Sequence, residues 1–283
     1  EGTNVVWMFN DYAENLTVKD VTIDCENMVW SKSVYLIVAN NQHGTNPCPV
    51  FDNVTISNYN AERPHALIEN NTQLTAQAGL NVVTDPGYSV KYVDGTYKVV
   101  ANMVKVLDGD TEVGTYATLA EAIAAATAGN TIQFLADITE NVNIYKNVTI
   151  DGAEFNYTGT MNDTKGSITA TIKNLNFVNA GFSTDKTGSS YTFNECTFDG
   201  EETYLYPIKI KGAKAINVNN CTVKDYLYGF LYTRSSVTTV KVNTVTVEDC
   251  PNYAVYFASG VTNASLENMT INGSESGVIY NGS

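Results

Sequence analysis

Apolar and polar residues alternate within a short phrase that recurs through the second half of the chain. An alternation of period two is typical of a β-strand with one buried face. Successive phrases begin 27, 21, 25, 24 and 24 residues apart, a repeat length that predicts stacked units, because one unit cannot bury its apolar face alone. The phrases occupy residues 147–150, 174–177, 195–198, 220–223, 244–247 and 268–271.

Two further columns of short strands accompany the phrases, with Gly, Asn, Asp and Ser turns between them. Three strands in 21–27 residues predict one coil of a parallel β-helix, whereas a propeller blade needs about 40–50 residues. The second column comprises residues 168–172, 191–193, 215–218, 240–242 and 264–266. The third comprises residues 208–210, 230–232, 255–257 and 278–280.

The pattern predicts the residues that fill the interior of the coil. Apolar side chains at equivalent places in successive phrases should stack in buried columns. We expect burial of Val148, Ile150, Leu175, Phe177, Cys196, Phe198, Cys221, Val223, Val245, Val247, Met269 and Ile271.

The strand pattern divides the chain into three parts. Residues 1–75 carry the same repeat and predict the C-terminal rungs of a first β-helix. Residues 76–116 predict a small β connector of two hairpins, the first turning at Asp94-Gly95 and the second at residues 108–110. Residues 117–283 predict a second β-helix, and the piece is expected to be cut within a β-helix at both ends.

A helix is predicted at the entrance to the second β-helix, at about residues 118–128. Thr118 and Glu121 have the spacing of a capping box, and Gly129 is a C-terminal stop signal. Leu119, Ile123 and Ala126 give this helix one apolar face. Since the open end of a β-helix exposes apolar surface and unpaired strand edges, the helix is the expected cap.

Charge and cysteine content limit the possible partners and cofactors. The net charge is −14 and only two arginines occur, so nucleic acid is a poor partner. No apolar run is long enough to insert into a membrane. The five cysteines leave pairing of Cys25 with Cys48 open, and without a Cys-x-x-Cys or histidine cluster we expect no metal and no organic cofactor.

Three stretches carry a family resemblance. Residues 116–126, continuing through 131–135 to 146–152, resemble the start of right-handed parallel β-helix (pectin-lyase-like) modules in large secreted or cell-surface proteins of gut and host-associated bacteria. Residues 190–198 are similar to their rungs, and residues 88–100 to their connectors. The resemblance implies an all-β solenoid with an extracellular or cell-surface location. Lyases, polygalacturonases, tailspikes and adhesins share this fold, so it assigns no activity.

A catalytic hypothesis rests on the acidic residues that follow the phrase strands, Asp199, Asp225 and Asp249. Adjacent rungs lie about 4.8 Å apart, so carboxylates one or two rungs apart would bracket the separations of retaining and inverting glycosidases. Tight turns also favour aspartate for backbone reasons alone. The motifs of polygalacturonase-like enzymes are absent.

A binding hypothesis rests on Tyr206, Tyr228 and Tyr253, which stand just before the third strands and should stack on consecutive rungs. Asp225 and Arg234 complete the candidate ligand-binding set, with Tyr204 and Tyr226 expected beside the strip. Such tyrosines could bind sugar rings or protein, or could simply pack together. An outward apolar column of Leu231, Tyr256 and Ile279 is a further candidate contact face.

Three functions remain open at this point. The preferred one is a non-catalytic, adhesin-type surface module that binds a glycan or a host surface protein, or acts as a stalk. The alternatives are a polysaccharide lyase or glycoside hydrolase, and a purely structural spacer. The acidic residues near the tyrosine strip favour neutral sugars or basic protein surfaces over uronates.

Overall fold

The computed structural model confirms an all-β chain that contains a β-solenoid of about eight turns. It describes residues 6–9, 17–26, 37–40, 50–59, 68–69, 81–93, 96–203, 206–234, 236–258 and 260–281. The chain divides into two compact units, Glu1–Asn102 and Met103–Ser283. In the described ranges, no helix is long and apolar enough to span a bilayer.

The first unit contains short parallel sheets followed by a hairpin. Its strands are β1 Val6–Phe9, β2 Thr17–Asp24, β3 Ile37–Asn40, β4 Val50–Ser57, β5 Ile68–Glu69, β6 Val82–Thr84, β7 Tyr88–Val93 and β8 Thr96–Ala101. Parallel pairing joins β1-β3-β5 and β2-β4-β6, which is the stacking expected of β-helix rungs. Strand β6 continues the second sheet past residue 75, because Val82 pairs with Val54. The predicted first hairpin forms between β7 and β8, with Val93 opposite Thr96.

The second unit contains the cap and the longer solenoid. It begins with β9 Val104–Asp108, β10 Thr111–Tyr116, helix α1 Leu119–Ala125, β11 Thr131–Phe134, β12 Ile138–Thr139 and β13 Val142–Ile144. It continues with β14 Val148–Asp151, β15 Asn156–Thr158, β16 Thr160–Asp163, β17 Thr169–Lys173, β18 Asn176–Val178, β19 Gly181–Thr184, β20 Ser190–Asn194 and β21 Thr197–Asp199. The last rungs contain β22 Ile208–Ile210, β23 Ala213–Lys224, β24 Gly229–Thr233, β25 Val237–Glu248, β26 Tyr253–Ala258, β27 Asn263–Asn272 and β28 Ser276–Asn281.

Two sheets line the second unit, and the strands of successive rungs pair in parallel within each of them. One is β13-β16-β19-β22-β24-β26-β28, the predicted third column, here called the outer sheet. The other joins the phrase strands and the second column, which fuse into single long strands at β23, β25 and β27. Asn220 bends β23 at the junction with a φ of 53°, a left-handed conformation that asparagine adopts more readily than most residues.

The strand register confirms most of the predicted alignments between rungs, but it assigns the first phrase, residues 147–150, to a different column. Ile150 pairs with Ile172, so residues 147–150 belong to the second column, whereas Tyr157 is the partner of Phe177. Both columns have the same alternating pattern, and the pattern therefore could not tell one from the other. Asp151 consequently lies opposite Lys173, and not in the turn column of Asp225.

Ten of the twelve predicted core residues are buried, including Cys196 and Cys221 on adjacent rungs. Met269 and Ile271 are only partly buried, because β27 pairs with β25 on one side and with no other described strand. Aromatic rings reinforce the interior, and those of Phe177 and Phe198 stack at 4.7 Å. Cys25 is also buried, but Cys48 lies outside the described residues, so the suggested pairing stays a hypothesis.

The entrance is capped by α1 together with the second predicted hairpin. The helix ends at Ala125, earlier than the predicted residue 128, and buries Leu119, Ala122 and Ile123. Thr118 Oγ1 accepts a hydrogen bond from the Glu121 backbone N–H at 3.1 Å. Strand β9 pairs antiparallel with β11, and this pairing covers the edge that β11 would otherwise expose.

Candidate functional site

Five tyrosine rings meet on the outer sheet, and we call Tyr206, Tyr228, Tyr232, Tyr253 and Tyr256 the tyrosine platform. Tyr206 lies 5.5 Å from Tyr228, 5.1 Å from Tyr232 and 6.3 Å from Tyr253, measured between ring centroids. Tyr232 stacks on Tyr256 at 5.2 Å with an interplanar angle of 13°. Tyr256 in turn lies 5.3 Å from Tyr253. The rings therefore form one continuous aromatic surface.

The register of the outer sheet explains how the platform assembles. Parallel pairing places Lys209, Tyr232, Tyr256 and Ile279 in one outward column on successive rungs. Tyr253 pairs with Gly229. The repeat in the sequence places Tyr228 and Tyr253 at equivalent positions, so a pairing of these two tyrosines was expected instead. A Cβ atom at Gly229 would overlap the carbonyl oxygen of Tyr253 and approach its ring to 2.8 Å. Glycine is therefore required for the close packing of Tyr253.

The tyrosines differ in solvent exposure, and this distinguishes a residue that can contact a ligand from one that supports the platform. Tyr228 is 44% exposed, whereas Tyr253 is 8% exposed. The hydroxyl of Tyr253 donates a 3.0 Å hydrogen bond to the hydroxyl of Tyr206. Burial, followed by this hydrogen bond, raises the pKa of Tyr253, which therefore stays neutral. Tyr253 supports the platform from below, and Tyr228 presents its ring to solvent.

Two predicted neighbours of the strip lie inside the coil. Tyr226 is fully buried and donates a 2.8 Å hydrogen bond to the Ala180 carbonyl oxygen. Leu231 is also buried and pairs with Ile208, so the predicted outward column is wrong by one residue at this rung. Tyr232 takes the outward place instead, since a shift of one residue reverses the face of a strand. Tyr204 lies outside the described residues.

The three candidate catalytic aspartates do not form one column. Asp199 pairs with Lys224 across adjacent rungs, whereas Asp225 and Asp249 lie in the following turns with φ of 59° and 50°. The Lys224 ammonium lies 2.6 Å from Asp199 and 3.6 Å from Asp225. Burial opposes ionisation of Asp199, but hydrogen bonds from Lys224 and the Glu201 backbone N–H outweigh it and lower the pKa of Asp199.

Two of these aspartates line an acidic groove of about 360 Å³. Asp225 and Asp249 line it, and Asp199 does not. Its remaining walls are Glu202, Tyr226, Leu227, Pro251 and Gly273. Arg234 is exposed and directly follows β24, whereas Tyr228 directly precedes this strand. Among the described residues, no ring contact joins Arg234 to the platform.

A second groove, of about 410 Å³, lies on the outer sheet and was not predicted from the sequence. Lys186, Lys209 and Lys211 line it together with Asn162 and Ser183. Lys209 also contacts the platform, because its ammonium lies 5.8 Å from the centre of the Tyr206 ring. The Lys-Ile-Lys alternation that begins in β22 is the sequence signal that could have identified this groove.

Comparisons with protein-family models, curated proteins and solved structures find no match to this chain. Within the described ranges, no group of three or more His, Cys, Asp or Glu side chains is placed to hold a metal ion.

Proposed function

We propose that the chain is a non-catalytic, glycan-binding module of a secreted or cell-surface protein, and that the tyrosine platform is its binding surface. The observation that carries the proposal is the continuous contact of five tyrosine rings on the outer sheet. The resemblance of the chain to β-helix modules of bacterial surface proteins supports the location and the adhesin-type role.

The platform has the physical properties that sugar binding requires. Tyrosine presents a flat apolar ring against which the C–H face of a sugar can pack, and a hydroxyl that can hydrogen-bond the sugar. Four of the five tyrosines are at least partly accessible to solvent. Strands β24 and β26 carry Tyr232, Tyr253 and Tyr256, whereas Tyr206 and Tyr228 lie just before strands. Ring contacts join all five, so little side-chain entropy is lost on binding.

The environment of Asp199 argues against a role as the general acid of a glycosidase. A general acid of a glycosidase needs a raised pKa, so that its carboxyl is protonated near neutral pH. Asp199 has the opposite property, because Lys224 holds it in the ionised form. The Asp225 carboxylate lies 3.6 Å from the same Lys224 ammonium, which is farther than the Asp199 carboxylate. The Asp199 carboxylate also accepts a 3.1 Å hydrogen bond from the Glu201 backbone N–H, which is the structural role that aspartate commonly has in a turn.

A glycan array followed by calorimetry with the best ligand tests the proposal. Tyr228→Ala and Tyr232→Ala should each weaken binding by about 1–2 kcal/mol, the usual loss for an aromatic anchor. The matched control is Tyr92→Ala, a similarly exposed tyrosine outside the platform, which should leave affinity unchanged. Melting temperatures measured on the same variants separate lost binding from lost folding.

Two results would count against this function. If Tyr228→Ala lowers the melting temperature and leaves the affinity per folded molecule unchanged, the platform only stabilises the coil. If no glycan binds on the array, the spacer hypothesis is the better one.

A further inference from the structure

The second groove is lined by Lys186, Lys209 and Lys211, and we call it the lysine groove. It lies on the same face of the outer sheet as the tyrosine platform. Asn143, Asn162, Ser183 and Lys209 occupy its outward column on successive rungs, and Tyr232 and Tyr256 continue the same column. Neighbouring rungs are about 4.8 Å apart. An extended ligand lying along this column would therefore cross from aromatic rings to lysine ammonium groups without a change of face.

The three lysines of the groove are not neutralised by the described carboxylates. No salt bridge joins Lys186, Lys209 or Lys211 to an acidic side chain in the part of the chain that the structure describes. Lys186 and Lys211 are exposed and Lys209 is half-buried, so their ammonium groups are accessible. Three lysines line this one groove, although the chain has only 16 basic residues and a net charge of −14.

The two acidic residues of the groove do not cancel this charge. Asp163 is 2% exposed, and its carboxylate already accepts four hydrogen bonds from inside the coil. Asp163 stays ionised because its pKa is lowered, and Asp185 is exposed. The two carboxylates therefore bring two negative charges against three positive ones, which leaves the groove with a small net positive charge. The groove is therefore a local positive region on an acidic protein, which attracts and orients anionic groups.

We infer that the ligand is an anionic glycan, whose sugar rings contact the tyrosine platform and whose carboxylate or sulfate groups bind Lys209, Lys211 and Lys186. The inference rests on the proposed function and specifies its ligand class. It reverses the preference for neutral sugars that the nearby aspartates suggested, since Asp225 and Asp249 line a different groove.

The test compares matched neutral and anionic polymers by calorimetry. Polygalacturonate is paired with its fully methyl-esterified form, which removes the carboxylate charge, and dextran sulfate is paired with dextran. The anionic member of at least one pair should bind more tightly, and the pair that discriminates identifies carboxylate or sulfate. Binding should weaken when salt rises from about 0.05 M to about 0.5 M, because exposed charge pairs are screened.

The lysine variants then locate the anionic subsite. The double variant Lys209→Met and Lys211→Met should weaken binding of the anionic polymer about tenfold, as two exposed ion pairs are lost. Lys214→Met, an exposed lysine outside the groove, is the control for the loss of overall charge. Thermal unfolding of each variant verifies that the coil is intact.

The outcomes distinguish this inference from the function on which it rests. Equal binding of neutral and anionic polymers, lost only in Tyr228→Ala, would overturn the inference and leave the glycan-binding function standing. Binding that depends on the lysines and is unchanged in Tyr228→Ala would be adsorption by charge alone, and would overturn both. Loss in both kinds of variant, with Lys214→Met unaffected, supports both.

Discussion

The hydroxyl of Tyr191 donates a 2.6 Å hydrogen bond to the carboxylate of Asp163 inside the solenoid. The same carboxylate accepts hydrogen bonds from Ser189 Oγ and from the backbone N–H groups of Lys165 and Gly166. Burial opposes ionisation of Asp163, but these four donors outweigh it and lower the pKa of Asp163. Burial, and then the contact with Asp163, raise the pKa of Tyr191, which therefore remains a donor.

This network predicts an acid-sensitive coil. Because the pKa of Asp163 is lower in the folded than in the unfolded state, its contribution is fully present above the unfolded pKa of about 3.9 and is lost as the pH falls through the folded value. Asp163→Asn should cost about 2 kcal/mol at neutral pH and flatten the loss of stability below about pH 4. Denaturant titrations at several pH values measure both effects.

The neighbouring Asp185 is the control for this pH dependence, because it is exposed and carries the same charge. Asp185→Asn should change stability by less than about 0.5 kcal/mol. An acid transition that is identical in the wild type and in Asp163→Asn would contradict the role assigned to Asp163.

The aromatic ladder of the interior predicts a large loss of stability when one ring is removed. Phe177 lies 5.7 Å from Tyr157 and 4.7 Å from Phe198, on the rungs before and after it. Phe177→Ala should cost about 3–5 kcal/mol, and Phe177→Leu less, because leucine leaves a smaller cavity. Urea unfolding gives both values. Leu135→Ala, at a 37% exposed position, should cost far less.

The capping helix is held at its N-terminus from two directions. Thr118 accepts from the Glu121 backbone N–H, and the Glu140 carboxylate accepts from the backbone N–H groups of Leu119, at 2.9 Å, and Ala120. Thr118→Ala should cost about 1 kcal/mol, the usual value for loss of an N-cap. Thermal unfolding monitored by circular dichroism provides the measurement, and Thr118→Ser should retain most of the stability. A Thr118→Ala variant as stable as the wild type would mean that Glu140 alone is sufficient.

The close approach at Gly229 predicts that a single methyl group disturbs the platform. Gly229→Ala places a Cβ atom against the backbone and ring of Tyr253, so that strand β26 or the ring must move. We expect lower stability, by about 1–3 kcal/mol as in overpacked cores, together with weaker glycan binding. Gly277→Ala, two rungs from Gly229 in β28 and with its nearest contact at 3.7 Å, is the matched control. Equal effects of the two substitutions would argue against a special role for Gly229.

The competing catalytic hypothesis also makes a clear prediction. Incubation with pectin, mucin and plant glycans should release neither reducing ends nor unsaturated products. Lys224 keeps Asp199 ionised, so Asp199 is unsuited to be the general acid, and it does not line the groove of Asp225 and Asp249. Product formation that disappears in Asp225→Asn would overturn the non-catalytic function. Because asparagine preserves the size of the side chain, such a loss would report the carboxylate itself and not a change in packing.

The repeat in the sequence was sufficient to predict the parallel β-helix, because a two-residue alternation recurring every 21–27 residues is satisfied by few other folds. The same alternation was insufficient to assign each phrase to its column. Residues 147–150 and 174–177 look equivalent, yet Ile150 pairs with Ile172 and Phe177 with Tyr157. Only the pairing of strands across the coil distinguishes the two columns.

Part of the candidate site was likewise accessible from sequence. Tyr206, Tyr228 and Tyr253 were recognisable because each precedes a third strand. Tyr232 was missed, because alignment of residues 230–232 with 208–210 assigns the outward position to Leu231. The actual pairing of Leu231 with Ile208 reverses the two faces.

By itself, the sequence determined the period, the strand content and most of the interior, because these depend on local alternation and on the burial of apolar side chains. The tertiary structure decided what the outer sheet presents to solvent. Lys209 and Tyr232 come together only through parallel pairing of β22 with β24, and Lys186 lines the same groove as Lys209. Side chains 20 or more residues apart become neighbours through strand register, which no local pattern of the sequence specifies.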